Sequence, residues 1–239
     1  MADSKEKSTG DPVRVATARI HPKVILDGRL ALFHEEEKWL ALSDLHFGYE
    51  VSRRRDGGLW PMWGMDVIEK RLHDLVEFWN PQKVILVGDI VDSSAAPERA
   101  IAWLSEVSDF CKELVLVEGN HDRGRIREEF EFVPSFETDE FFFHHGHEPR
   151  FEGAGASDRG LIEICGHLHP SHRFRDGAGT SVTMPSFAIE TRSDNLKERW
   201  ILPAFSPWAG GGKFQQETAD SKVKQWACSA QRIIEVSEK

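Results

Sequence analysis

Apolar residues in this chain gather into short runs that stop abruptly at polar residues able to bind a metal. Trp39-Leu40-Ala41-Leu42 runs into Ser43-Asp44-Leu45-His46, and Val84-Ile85-Leu86-Val87 into Gly88-Asp89. Leu114-Val115-Leu116-Val117 is followed by Glu118-Gly119-Asn120-His121-Asp122, and Phe141-Phe142-Phe143 by His144-His145-Gly146-His147. Leu161-Ile162-Glu163-Ile164-Cys165 leads to Gly166-His167-Leu168-His169. Runs of this length bounded by glycine predict buried strands. Residues 13–44 read as strand-like throughout, with a hairpin connection over 34–38. Met65, Ile68, Leu72, Leu75, Val76 and Trp79 have helical spacing, and Asn80-Pro81 stops that helix. A second helix carries Ile101, Leu104 and Val107 on its buried stripe, with Pro97 in the first turn and Ser93 or Ser94 as cap. Alternating strands and helices predict right-handed crossovers and a sheet covered on both faces. The carboxyl ends of such strands form the binding crevice, so the five polar motifs are expected on one rim. In the last third, 182–189, 200–205 and 231–236 read as strands of a second sheet, with a charged turn over 192–199 and a surface loop over 206–221.

Composition narrows the class. Of 239 residues, 40% are hydrophobic and 29% charged, a globular balance. No apolar run approaches the ~18 residues that cross a bilayer, so no membrane association is expected. Residues 1–12 are polar, show no secretory signal and are expected to be a disordered tail before a single domain over 13–239. Three cysteines, Cys111, Cys165 and Cys228, are too few for a disulfide framework and fit a reducing, cytoplasmic setting. A net charge of −10 argues against indiscriminate coating of nucleic acid, though it leaves room for a local basic groove.

Seven of the eleven histidines fall in the motifs. Asp44 and His46 are two apart, which on an extended segment points both to one side, and His167 and His169 repeat the spacing. Imidazoles with carboxylates suit Mn, Fe or Zn. The ligands are too many for one tetrahedral ion; two ions sharing a carboxylate fit the count.

Asp44-x-His46, Gly88-Asp89-x-x-Asp92, Gly119-Asn120-His121-Asp122, His145-Gly146 and Gly166-His167-x-His169 resemble, in order and spacing, the five motifs of the calcineurin-like metallophosphoesterase superfamily. His147-Glu148-Pro149, His169-Pro170, Met184-Pro185-Ser186-Phe187 and Leu202-Pro203-Ala204-Phe205 are similar to a bacterial subgroup, the ligase-associated DNA-damage-response endonucleases. The resemblance implies an α/β fold, a four-layer α/β/β/α sandwich of two mixed sheets flanked by helices. It implies two divalent ions, Mn first and Fe or Zn as alternatives. Asp44, His46 and His169 would hold one, Asn120, His145 and His167 the other, and Asp89 would bridge them. A phosphodiester would be hydrolysed by metal-activated hydroxide, with His121 protonating the leaving oxygen and Asp92 fixing the tautomer of His121. Asn120 and His147 would touch substrate. Competing structural readings make Asp92 a helix cap, His144 a core residue, His147 a loop residue and Asp122 a turn former. His21, His34, His73 and His172 have no motif context.

The protein-phosphatase branch carries Arg where this chain has Ser93 and Glu where it has Asp122, so a phosphodiester is the preferred substrate class. DNA in a repair setting is the expectation, with a helicase or ligase partner resting on the resemblance alone. Arg53-Arg54-Arg55, Arg123, Arg125, Arg127, Arg150, Arg173 and Arg175 follow the motifs and suit either a polynucleotide groove or an ordinary salt-bridged surface. The loop Gly57-Gly58-Leu59-Trp60-Pro61-Met62-Trp63 reads first as a hydrophobic lid packed on the next helix, second as a surface for stacking bases. The alternatives are a small-molecule phosphodiesterase or nucleotide pyrophosphohydrolase, and a metal-bearing adaptor without turnover.

Overall fold

The computed structural model describes residues 15–92, 96–147, 160–192, 197–213 and 221–236, which build two mixed sheets. The N-terminal tail expected over 1–12, and with it Ser93, Ser94 and Arg150, lies outside the described residues.

The first sheet runs in sequence order: β1 (Thr17–His21), β2 (Val24–Asp27), β3 (Ala31–His34), β4 (Trp39–Leu42), β5 (Lys83–Val87) and β6 (Leu114–Val117). Its first four strands pair antiparallel, including the hairpin across 34–38, and β4, β5 and β6 pair parallel. The parallel connections contain α1 (Tyr49–Arg55), α2 (Gly64–Trp79) and α3 (Pro97–Phe110). α2 buries Ile68, Leu72 and Leu75 and ends where Asn80 turns left-handed, its N–H on the Val76 carbonyl. α3 has Pro97 in its first turn, and Ala96 occupies the cap position without a side-chain bond.

After the short α4 (Ile126–Glu129), the second sheet takes β7 (Ser135–Glu137), β8 (Phe141–His144), β9 (Ile162–Cys165), β10 (Pro170–Arg175), β11 (Ser181–Thr191), β12 (Glu198–Ile201) and β13 (Gly212–Lys213). Their order is β13-β10-β11-β12-β9-β8-β7, with β14 (Lys222–Ser229) on β11 and β15 (Arg232–Val236) on β14. This sheet begins earlier than the pattern suggested. The strands bearing the fourth and fifth motifs, β8 and β9, pair with each other and with β7 and β12, so the rim is shared between both sheets.

Two sequence readings need correction. The run 200–205 leaves the ladder after Ile201, because Pro203 has no N–H to contribute. The segment then crosses to the first sheet, where Phe205 N–H bonds the Ser43 carbonyl and Ser206 N–H the Asp44 carbonyl. Arg71 on α2 holds this crossing, donating to the Phe205 carbonyl at 2.7 Å. Second, 206–221 is not wholly a loop, since it contains β13. Arg53, Arg54 and Arg55, which follow the first motif, lie on α1.

One core joins the sheets. Trp39 of β4 stands edge-on to Phe141 and Phe143 of β8, at 5.2 Å from each ring. Trp200 of β12 closes on Phe141 at 5.5 Å. These large buried rings pack β4 against β8, the strands that lead to the first and fourth motifs. Among the described residues, no helix is long and apolar enough to cross a membrane.

Candidate metal centre

The loops after β4, β5, β6, β8 and β9 meet at one rim, and the candidate ligands arrive on an unusual backbone. Asp44 (φ 54°), His46 (φ 46°), Asp89 (φ 48°), His167 (φ 66°) and His169 (φ 43°) all adopt positive φ. They are five of the eight non-glycine residues that do so among the described residues. The extended geometry expected for Asp44-x-His46 and His167-x-His169 is therefore wrong, although both members of each pair still face the rim. The loops after β4 and β5 are stitched together by Asp44 N–H to the Gly88 carbonyl, His46 N–H to that of Asp89 and Phe47 N–H to that of Ile90.

Glycine is required where ligands press on backbone. A Cβ on Gly88 (φ +73°) would sit 2.2 Å from His145 Nδ1, and one on Gly166 would sit 2.5 Å from Asp44 Oδ2.

Two sets of side chains converge. In the first, His169 Nε2 lies 3.0 Å from Asp44 Oδ1 and 3.5 Å from His46 Nε2. Two imidazole nitrogens that close, beside a shared carboxylate oxygen, form a ready set of lone pairs for one cation. Asp44 is fixed by Ser43 Oγ–H on Oδ2 and by the His167 backbone N–H. In the second set, His145 Nε2 is 3.3 Å from Asp89 Oδ2, and His167 joins them so that all three ligand atoms lie within 4.8 Å of one another. Asp89 links the sets. Its Oδ1 accepts the His121 N–H at 2.9 Å, which leaves Oδ2 facing His145, His46 at 3.8 Å and His121 at 4.0 Å. Asn120 Oδ1 is buried with no hydrogen-bond partner. An amide oxygen in that condition is costly unless a cation or donor completes it. The donor chemistry, imidazole nitrogens with carboxylate and amide oxygens, fits divalent transition metals.

Electrostatics point the same way. Burial pushes the Asp89 carboxyl up, but His145, the His121 N–H and His46 together hold it below the ordinary carboxylate range. Burial likewise opposes charge on His46 and His145, while Asp92 beside His46, Asp89 beside His145, and Asp44 raise both imidazoles. His167 is lowered by burial and by its neighbour His145.

The residues expected to act on substrate lie at the same rim. His121 Nδ1 is 3.5 Å from Asp92 Oδ1, and 38% of its side chain is exposed. Asp92 also faces His46 Nδ1 at 3.7 Å, so it is part of the centre and not a cap for α3. Burial raises the Asp92 carboxyl and bonds from His46 and Ser52 more than reverse it. His46, Asp92 and His121 form a third convergent set. The ring of His147 lies 5.2 Å from that of His145 and 6.3 Å from that of His167. His144 points away and donates through Nε2 to Glu163 at 2.6 Å.

Sequence reasoning left the role of Asp122 open and missed Glu50. Asp122 is fully buried; Oδ1 accepts the N–H groups of Ile90 and Val91, and Oδ2 that of Gly119. Burial pushes its carboxyl up to about 7 against these three donors. Glu50, also fully buried, accepts the Met65 N–H and the Trp208 indole N–H. An isolated acid in α1 followed by a Trp-rich loop was its only sequence signal.

Among solved structures, the chain is similar to the nuclease MPE of Pseudomonas putida, with a TM-score of 0.63 and 21% identity, covering 93% of this chain and 100% of that one. It is also similar to YfcE, a phosphoesterase from E. coli, with a TM-score of 0.46 and 18% identity, covering 83% of this chain and 97% of that one. No curated protein matches it. The family described as calcineurin-like phosphoesterase matches residues 38–202. That match begins one residue before β4 and ends one beyond β12, so it takes in every strand that delivers a candidate ligand: the chain belongs to the calcineurin-like phosphoesterase family.

Proposed function

We propose that this protein is a two-cation phosphodiesterase acting on nucleic acid, a nuclease of the DNA-repair type. One observation carries the reading: Asp89 Oδ2 faces three imidazoles from three loops, while Asn120 Oδ1 lies buried and unpartnered beside them. Asp44, His46 and His169 would hold one divalent ion and Asn120, His145 and His167 the other, with Asp89 between. Bound ions would lower the pKa of water to about 7 and neutralise the phosphoryl oxygens.

The chain's own residues do the rest. Asp92 Oδ1, 3.5 Å from His121 Nδ1, would orient the ring, and Nε2 would hand a proton to the departing alkoxide. His147 and the Asn120 amide would orient a non-bridging oxygen. The Leu202–Pro203–Ala204–Phe205 motif, one of those shared with the repair subgroup, returns to Ser43 and Asp44 and closes one side of the centre. The name of the Pseudomonas putida neighbour, a nuclease, agrees with this reading.

The test is metal content and turnover together. Purified protein stripped with EDTA and reloaded with Mn, Fe, Zn or Mg is assayed on bis(4-nitrophenyl) phosphate, a phosphomonoester, cyclic nucleotides and DNA. The expected result is diester hydrolysis that needs the metal and is lost in Asp89→Asn, with DNA competing. Competition by nucleotides but not DNA would make the protein a small-molecule hydrolase instead. Tight DNA binding with no turnover in any metal would make it an adaptor.

A further inference from the structure

Seven large hydrophobic side chains are strongly exposed among the described residues, and three of them, Leu59 (98%), Met62 (38%) and Trp63 (45%), fall within five positions between α1 and α2. The segment is packed only in part: Trp60 is half-buried, while these three stay open. Trp63 leans on Trp208 at 4.3 Å and 40°, Trp208 stands edge-on to Trp60 at 5.2 Å, and Trp60 edge-on to Tyr49 at 5.3 Å. The rings are fixed from behind. Glu50 holds the Trp208 indole N–H at 3.1 Å and the start of α2 through Met65 N–H at 2.9 Å. Gly64 lets Trp208 close on the backbone, since a Cβ there would be 2.0 Å from Nε1. Rigid aromatic faces lose little entropy when a flat ligand settles on them.

The strip continues into the metal centre at two places. Tyr49 N–H bonds the His46 carbonyl, and Ser206, two residues before Trp208, bonds the Asp44 carbonyl. Its charge is also specific. In a chain of net charge −10, three exposed arginines stand together on α1. Arg53 covers the Tyr49 ring at 4.7 Å and reaches Asp56 only at 3.7 Å. Among the described residues, no ion pair includes Arg54 or Arg55, whereas Arg125 and Arg127 are paired to Glu98 and Glu118.

We propose that this strip binds unpaired nucleotides of a single-stranded polynucleotide, with bases stacked on Trp63 and its apolar neighbours and phosphates held by Arg54 and Arg55. The inference rests on the phosphodiesterase reading and names its substrate: strand ends, flaps or loops led past Asp44 and His46. Paired bases in a duplex have no free face to offer an indole, so the surface selects single strands.

Binding is measured by fluorescence anisotropy with a labelled oligothymidylate of about a dozen nucleotides and with a duplex of the same length, in EDTA so that the strand stays intact. The full-length protein should prefer the single strand. Trp63→Ala should raise its Kd about tenfold, and Arg54→Ala/Arg55→Ala should lower the slope of log affinity on log salt by about 1.4, at ~0.7 per phosphate contact. Phe110→Ala, an exposed aromatic at the end of α3, should change neither. Should Trp63→Ala fail to fold, Leu59→Ala/Met62→Ala, which trims only exposed side chains, decides by an expected rise of about threefold. Wild-type affinity in these variants, a preference for duplex, or no oligonucleotide binding at all would each overturn the proposal. Wild-type turnover of bis(4-nitrophenyl) phosphate is read separately. Its absence alongside Trp63-dependent binding would sink the phosphodiesterase reading and leave the strip standing; its presence with Trp63 irrelevant would do the reverse.

Discussion

No hydrogen bond joins Asp122 to a candidate ligand side chain among the described residues, yet two backbone segments of the centre, after β5 and after β6, depend on it. Its two oxygens accept N–H groups from Ile90 at 2.8 Å, Val91 at 3.0 Å and Gly119 at 2.8 Å. Ile90 follows Asp89, and Gly119 precedes Asn120. Replacing Asp122 with Ala leaves three donors facing a void. Each buried unsatisfied group costs about 1–3 kcal/mol, and because the loop can relax toward water the expected loss is about 3–5 kcal/mol, less than the sum. The amide introduced by Asp122→Asn keeps one acceptor oxygen for Ile90 and Val91 but turns an NH2 toward Gly119 N–H, so this conservative variant should lose about 1–2 kcal/mol. Urea unfolding gives both numbers. The same variants should bind Mn 10–100-fold more weakly, the range seen when groups that orient ligands are removed; isothermal titration on folded Asp122→Asn reads this apart from stability. A loss below about 1 kcal/mol in Asp122→Ala, with Mn affinity unchanged, would refute the claim that this carboxylate sets the spacing of Asp89 and Asn120.

Three further outcomes follow from the same geometry. His121→Ala should slow diesters with alkyl leaving groups far more than those with nitrophenolate, because only the poorer leaving group needs the proton; equal losses would remove the acid role. His34 is buried, stacked on Trp39 at 5.1 Å and accepting the Glu37 N–H at Nδ1, and burial lowers its pKa below 6.5. The unfolded chain therefore takes up the proton first, and this contribution, fully present above pH 6.5, is lost as pH falls through the folded value. Urea unfolding at neutral and mildly acid pH should show a smaller loss in His34→Phe than in wild type, and an equal loss would contradict the assignment. Burial pushes the Cys111 and Cys228 thiols up to about 12, so iodoacetamide at pH 8, where roughly one thiol in ten thousand is ionised, should spare both until urea is added, as peptide mass spectrometry would record.

Much of this was legible in the chain because the relevant signals are local. The runs that became β4, β5 and β6 are apolar at nearly every position, as a doubly covered parallel sheet requires, and α2 has both its stripe and its stop written in sequence. The ligand-bearing loops were readable because few arrangements other than a metal centre place histidine after strand upon strand. What escaped was decided by distant partners. β10 and β14 carry charged residues on an exposed face, and their pairing depends on β11, a strand far away in sequence from β14. The division of β8 and β9 from the first sheet likewise depends on β12. Glu50 shows its role only once Trp208 arrives from 158 positions later.

The failed expectation about Asp44 and His46 explains most about the centre. Two residues on an extended strand place side chains on one face but keep them nearly 7 Å apart along the chain, about 3.3 Å per residue. That spacing leaves two donors of one segment to reach a single cation by side-chain length alone. Positive φ at both residues curls the segment, and the same curl recurs at His167 and His169. Each such position costs on the order of 1–3 kcal/mol when a side chain is present, and persists only where its surroundings over-determine it. Here they do. The carbonyls of Gly88, Asp89 and Ile90 receive the N–H groups of Asp44, His46 and Phe47, and the Asp44 carboxylate receives the N–H of His167. The two curled segments are therefore tied together through the Asp44 carboxylate, which accepts the His167 N–H. The bends follow strands that the core joins, with Trp39 at the start of β4 packed on Phe141 at the start of β8. This strained, cross-braced backbone sets where each loop's donors stand, so the loops after the strands, more than the strands themselves, carry the chemistry.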